Sequence, residues 1–152
     1  MVGKGANVIL EGYIGLFFSA FLAATILPVA SEVVITAMAA SGEFKTFWLL
    51  IVASVGNTLG SVVNWLLGRY LVGFQDRRWF PMTPQQIDRA SRVFNRWGQW
   101  SLLLAWMPVI GDPLTFIAGL LRVPFPIFLL LVAISKTGRY VVLLGVLEQI
   151  LP

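Results

Sequence analysis

The chain alternates between long apolar blocks and short polar interruptions, and the interruptions carry most of the information. From Tyr13 to Leu27 the residues are almost all apolar. Read as one helix, this block rises about 22 Å, short of the roughly 30 Å hydrocarbon core of a bilayer. Residues 1–12 precede it as a lead-in broken by glycines at 3, 5 and 12. Pro28 ends the block, because proline lacks an N–H and crowds the preceding turn. Ser31 is placed to cap a second, shorter helix from Glu32 to Ala40. Two half-length helices around a proline predict a re-entrant hairpin, which is tolerated at depth only where protein or water covers the irregular backbone.

Thr46 to Leu71 is long enough for a full span. Gly56 and Gly60 lie four apart, the spacing that lets two membrane helices approach closely. Asn57 and Asn64, seven apart, share one face, which predicts that both look into the bundle and line a cavity. Residues 73–98 form the one long polar segment. Within it Thr83, Pro84 and Gln86 spell a capping box with proline at the first helical position. Ile87, Ser91, Phe94 and Trp97 define an apolar face, and Arg89, Arg92 and Arg96 project elsewhere. The pattern predicts an amphipathic helix over 84–97, ended by Gly98, lying at the membrane surface with its arginines near lipid phosphates. Residues 99–107 form a short apolar arm, broken at Pro108 and again at Gly111-Asp112-Pro113. Leu114–Leu121 is the returning arm, and Phe125–Ile150 the last span. Taken as one helix, 99–122 could cross, but two prolines, a glycine and an aspartate in its middle argue against a plain span.

The two broken regions share a phrase. Pro28-Val29-Ala30-Ser31-Glu32 and Pro108-Val109-Ile110-Gly111-Asp112 lie 80 residues apart, each a proline followed by an acid at the fourth position. The same offset pairs Leu49, Leu50, Val52 and Ala53 with Leu129, Leu130, Val132 and Ala133. A constant, ungapped offset predicts an internal duplication. The chain then reads as one all-α integral membrane domain: repeat 1 over about 10–72, a linker over 73–98, and repeat 2 over about 99–150. Each repeat is a hairpin plus a span. Because each crosses an odd number of times, the second copy is inverted and the hairpins meet near the midplane, as in secondary transporters with broken helices.

Composition agrees with a membrane protein and narrows the chemistry. Of 152 residues 58% are hydrophobic and 12% charged, about half the charge of a soluble domain. There is no cysteine and no histidine. Disulfides, thiol catalysis, common zinc sites and imidazole relays are therefore excluded, and no cofactor is implied. The net charge of +4 reads as topology, since five of eleven basic residues fall in 77–96 and place that loop in the cytoplasm. With no soluble domain to carry it, nucleic-acid binding is not expected. Lys4 ahead of the run ending in Ala23-Ala24 has the outline of a signal peptide, but Glu11 and the adjoining Pro28 phrase argue against cleavage.

Four ionisable side chains fall at membrane depth: Glu32, Asp112, Lys136 and Arg139. Each costs about 2.5–3.5 kcal/mol at a helix centre, so they must be paired, hydrated or neutral. Two acids and two bases fit pairing, and buried ion pairs gain little stability over apolar packing. That favours a functional role. A carboxylate that switches between a cation and a proton is a coupling device, and the cations could hold a phosphate headgroup. No nucleophile–base pair, metal cluster or phosphate-cradling glycine loop accompanies them, so catalysis is not expected.

The phrases 28–32, Gly56–Gly60 with Asn64-Trp65 and Gly68-Arg69, and Trp106-Met107-Pro108 through Gly111-Asp112-Pro113 to Ala118-Gly119 resemble the DedA (VTT-domain) membrane proteins. Lys136 and Arg139-Tyr140 are similar to the YqaA-type branch. The resemblance covers about residues 10–145. It implies a bacterial inner-membrane protein with inverted re-entrant hairpins that moves or scrambles phospholipid-like molecules, with proton dependence and polyprenyl-phosphate substrates ascribed to relatives. The family's first-hairpin acid carries onto Glu32. Two arginines that better-known members carry, matching Ala105 and about Gly111–Asp112, are absent here, which argues against undecaprenyl phosphate. Expected partners are membrane lipids, an anionic lipid substrate and protons, with a second copy shielding the hairpins. The rival reading is a non-transporting assembly or lipid-organising factor whose working surface is the helix 84–97.

Overall fold

The computed structural model describes residues 2–25, 30–70, 73, 76–80 and 82–150, with side chains from residue 5 onward. Among these residues every regular element is helical. In chain order they are α1 (Val2–Ala23), α2 (Ala30–Ser41), α3 (Thr46–Tyr70), α4 (Pro84–Trp97), a 3₁₀ segment (Gly98–Leu104), α5 (Gly111–Leu120) and α6 (Phe125–Ile150).

Three helices are apolar and long enough to cross a membrane: Gly5–Ala23, Thr46–Tyr70 and Phe125–Ile150. The first corrects the expected half-length arm at 13–27. Its 22 residues rise about 33 Å. Glycine weakens a helix by only about 1 kcal/mol relative to alanine. Where no water can satisfy a broken backbone, that penalty is smaller than the cost of an unpaired peptide group. The glycines of the lead-in are therefore absorbed into the helix. Pro28, expected to break the segment, lies outside the described residues.

The other helices are too short to span. α2 has 12 residues and α5 has 10, about 18 and 15 Å. Ser31 does not cap α2. It lies within the first turn, buried, and accepts a hydrogen bond from the Tyr140 hydroxyl at 2.9 Å. The arm expected over 99–107 is a 3₁₀ turn followed by bends, with Pro108 exposed among them. The 98–122 stretch is thus not one spanning helix. Nor do Gly111, Asp112 and Pro113 form a second break. They are the first turn of α5, where a missing proline N–H costs nothing. The bounds of α2 and α5, and of α3 and α6, agree to within one residue under the 80-residue offset.

α3 is the axis of the bundle, packed against α1, α5 and α6. Close approach explains its glycines. A Cβ at Gly56 would lie 2.6 Å from the Phe17 carbonyl oxygen, and one at Gly60 2.5 Å from that of Phe21. At the other contact, a Cβ on Gly68 would strike the Phe116 carbonyl and one on Gly119 the Trp65 carbonyl. One buried cluster, with Leu16, Ile35, Leu49 and Tyr140, joins α1, α2, α3 and α6. A second, with Trp65, Leu114, Phe116, Phe128 and Val132, joins α3, α5 and α6. Large apolar residues such as Phe18, Ile51, Leu130, Ile134 and Val142 face outward, as lipid contact requires.

The capping box forms as expected. Thr83 N–H donates to Gln86 Oε1 at 2.9 Å, and Gln86 N–H donates to Thr83 Oγ1 at 3.3 Å. The apolar face of α4 is only partly as expected: Ala90 and Phe94 are buried, whereas Trp97 is exposed with the Arg96 guanidinium over its ring. That face packs on α5 and the 3₁₀ segment of the protein itself. An amphipathic pattern specifies an apolar neighbour without saying whether it is lipid or protein. Arg89, Arg92 and Arg96 are exposed, and Arg92 pairs with Asp88 at 3.0 Å.

Candidate functional site

The four charges expected at membrane depth meet beside α6. Lys136 and Arg139 are three residues apart, hence neighbours on one helix face. The Lys136 ammonium donates to Asp112 Oδ1 at 2.9 Å. Arg139 donates through Nε at 2.7 Å and Nη2 at 2.5 Å, both to Glu32 Oε1. Each acid therefore comes from one of the two short helices, α2 and α5, and each takes its own cation. The pairs differ in exposure. Lys136 is 2% exposed and Asp112 18%, whereas Glu32 is 30% exposed. Glu32 hydrogen-bonds Arg139 through one carboxylate oxygen, so the outer pair is the more accessible to an exchanging ligand.

Around these charges runs a hydrogen-bonded frame that residue patterning did not reveal. The Asn57 amide donates to the Ala20 carbonyl at 3.1 Å and to the Tyr140 hydroxyl at 3.2 Å, and that hydroxyl donates to Ser31. One chain of contacts thus links α1, α3, α6 and α2 directly beside Glu32 and Arg139. Tyr140 adjoins Arg139 in sequence, and a phenol inside a spanning helix needs a partner for its hydroxyl. That was the available signal. Ser135 is the other unforeseen member. It accepts from the Trp106 N–H at 3.0 Å and donates to the Leu103 carbonyl at 2.8 Å, closing backbone groups that the irregular stretch leaves open.

Asn57 and Asn64 are both buried, as expected for residues facing the bundle. Asn64 donates to the Ala24 carbonyl at 2.8 Å. In a continuing helix that carbonyl would accept from residue 28, a proline with no N–H to give. The asparagine supplies the missing donor. The carbonyl oxygens of Asn57 and Asn64 find no protein donor among the described residues. Gly111 fits against the Ala105 backbone, where a Cβ would clash. This brings the Pro108 turn under the first turn of α5 and places Asp112 beside Lys136. No group of acids able to hold a metal occurs among the described residues.

A groove of about 420 Å³ lies beside Arg139, between α6 and the irregular stretch, with Leu103, Trp106, Ile134, Gly138 and Val142 as apolar walls.

Fold and site together define a small multi-pass helical membrane protein whose interior is organised by two ion pairs. The VTT domain matches residues 27–149, which takes in α2, α5 and every one of these charges. The chain belongs to that family, the DedA family of membrane proteins. It is 39% identical over 126 residues to inner membrane protein YqaA of Escherichia coli (strain K12), covering 83% of this chain and 84% of the relative. The Shigella flexneri protein of the same name matches equally. An uncharacterised protein of Haemophilus influenzae is 35% identical over 136 residues, covering 85% and 83%. No solved structure gives a significant match. The Escherichia coli and Shigella relatives are inner membrane proteins, and three span-length apolar helices make this chain a membrane protein of the same kind.

Proposed function

We propose that this chain is an inner-membrane transporter of an anionic, phospholipid-like molecule, coupled to protons through Glu32 and Asp112. The observation that carries the reading is the pairing of one acid from each short helix with one of two adjacent cations on α6. In a medium of low dielectric, protonating an acid removes its hold on the cation and leaves that cation to a phosphate. Deprotonation restores the pair and loosens the hold on the ligand. Glu32, the more exposed acid, exchanges first, and Asp112 with Lys136 forms the deeper stage. Asn57 and Asn64 steady the α1 end of the path. The coincident bounds of the helices under the 80-residue offset support a duplication. α2 returns only to the level of Tyr13, midway along α1, where the Lys45 N–H meets its hydroxyl. That supports a re-entrant hairpin made of α2 and the second half of α1, with α5 as the corresponding arm of an inverted copy. The exposed arginines of the 73–98 segment support a cytoplasmic position for it.

The test is lipid translocation in proteoliposomes containing Glu32→Gln and Asp112→Asn, with and without a pH gradient. Full activity in both variants would discard the mechanism. Because the chain has no cysteine, single cysteines at positions 42, 82 and 150 give the topology. The inverted arrangement requires 42 and 150 to label from one side and 82 from the other.

A further inference from the structure

Close backbone contacts explain the glycines at 56, 60, 68, 111 and 119. Gly138 has no such reason. A Cβ there would meet nothing within 4 Å, and its φ is not positive. Glycine in a helix interior is unfavourable relative to alanine. What its bare surface leaves open is the groove of about 420 Å³ over α6.

The groove has a chemical polarity. Its walls Leu103, Trp106, Ile134 and Val142 are apolar, and Ile134 and Val142 are 55% and 66% exposed, so it opens toward the hydrocarbon side. Ser135 also lines it, but its hydroxyl is already committed to Leu103 and Trp106. Arg139 is therefore its one ionic member. Nε and Nη2 of Arg139 hold Glu32, and Nη1 has no partner among the described residues.

We infer that this groove seats one acyl chain of an anionic membrane lipid, the chain lying over Gly138 and the phosphate reaching Arg139. The inference rests on the transport reading and names the part of the lipid that each surface takes. An acyl chain gains little by leaving a bilayer that is equally apolar, so the walls alone select nothing. Selection comes from the charge-assisted bond between guanidinium and phosphate, which a zwitterionic headgroup weakens with its own cation. Trp106, 45% exposed on the opposite wall, offers a flat surface to the chain.

The experiment uses the full chain in vesicles containing phosphatidylglycerol whose acyl chain carries a diazirine, irradiated and mapped by mass spectrometry. Adducts are expected at Trp106, Ile134 and Val142, and about fivefold fewer with phosphatidylcholine bearing the same chain. Gly138→Leu fills the groove from a position with free space and should lower the yield by about fivefold as well. Gly145→Leu, equally open but outside the groove, should label as wild type. Equal labelling by the two lipids, unchanged labelling in Gly138→Leu, or adducts that avoid Trp106, Ile134 and Val142 would each overturn the inference. Translocation on the same vesicles separates it from the transport reading. Labelling that depends on Gly138 without wild-type translocation refutes transport and leaves the groove. Translocation with labelling indifferent to Gly138 refutes the groove and leaves transport.

Discussion

Removing the acid from the deeper ion pair tests how the bundle holds its charges. Lys136 is 2% exposed and its ammonium lies 2.9 Å from Asp112 Oδ1. Its other charged neighbour on the same face, Arg139, is also a cation. Asp112→Asn keeps the size of the side chain but leaves a buried ammonium without a counter-charge. Breaking one partner of a buried pair costs about 3–5 kcal/mol, whereas replacing both by apolar residues of similar volume is often neutral or stabilising. Asp112→Asn should therefore destabilise the fold by about 3–5 kcal/mol. The double variant Asp112→Leu/Lys136→Met should recover most of that loss while abolishing the proposed transport. Reversible unfolding in mixed micelles, titrated with SDS, reads the stability of wild type, Asp112→Asn, and the cycle of Asp112→Leu, Lys136→Met and their double. The cycle isolates the pair because the two side chains touch. Asp112→Asn within about 0.5 kcal/mol of wild type, or a double variant as unstable as the single, would refute the claim that this pair neutralises a buried charge.

Three further outcomes follow from local geometry. Gly68→Ala drives a Cβ into the Phe116 carbonyl at the α3–α5 contact and should cost about 3 kcal/mol or abolish folding, whereas Gly145→Ala, with open space around it, should cost nothing in the same assay. Asn64→Leu strips the donor from the buried Ala24 carbonyl and should destabilise by about 1–3 kcal/mol, with Asn64→Gln intermediate. Arg122 ends α5 in the left-handed region at φ 57°, its N–H on the Gly119 carbonyl and the Val123 N–H on that of Ala118. Arg122→Gly removes the steric penalty at that position and should raise the unfolding midpoint, a gain of about 1 kcal/mol.

Much of the architecture was legible because apolar length and polar punctuation are local properties. The spans at 46–71 and 125–150, the amphipathic helix with its Thr83–Gln86 cap, and the shortness of the helix after Pro28 all depend on residues close in sequence. The extent of α1 is not legible locally, because glycine counts as a breaker in water, while a bilayer enforces backbone pairing. The apolar arm at 99–107 has the composition of an α-helix, yet it folds as a 3₁₀ segment followed by turns. Its 3₁₀ form is sustained by Ser135, far along the chain on α6. Periodicity puts Trp97 on the packed face with Phe94, but it is the last residue of α4 and is exposed, with the Arg96 guanidinium over its ring.

The amino-acid order alone determined that this is a membrane protein, that two proline–acid phrases repeat at one offset, and that four charges at membrane depth had to find partners. Burial energetics require that much of any chain with such a pattern. Which acid meets which cation, and that Tyr140, Ser31 and Ser135 frame the pairs, was decided by the tertiary structure. Glu32 and Arg139 are 107 residues apart in the chain. Their meeting depends on how closely α1, α5 and α6 settle on the glycines and asparagines of α3, and no local rule contains that distance.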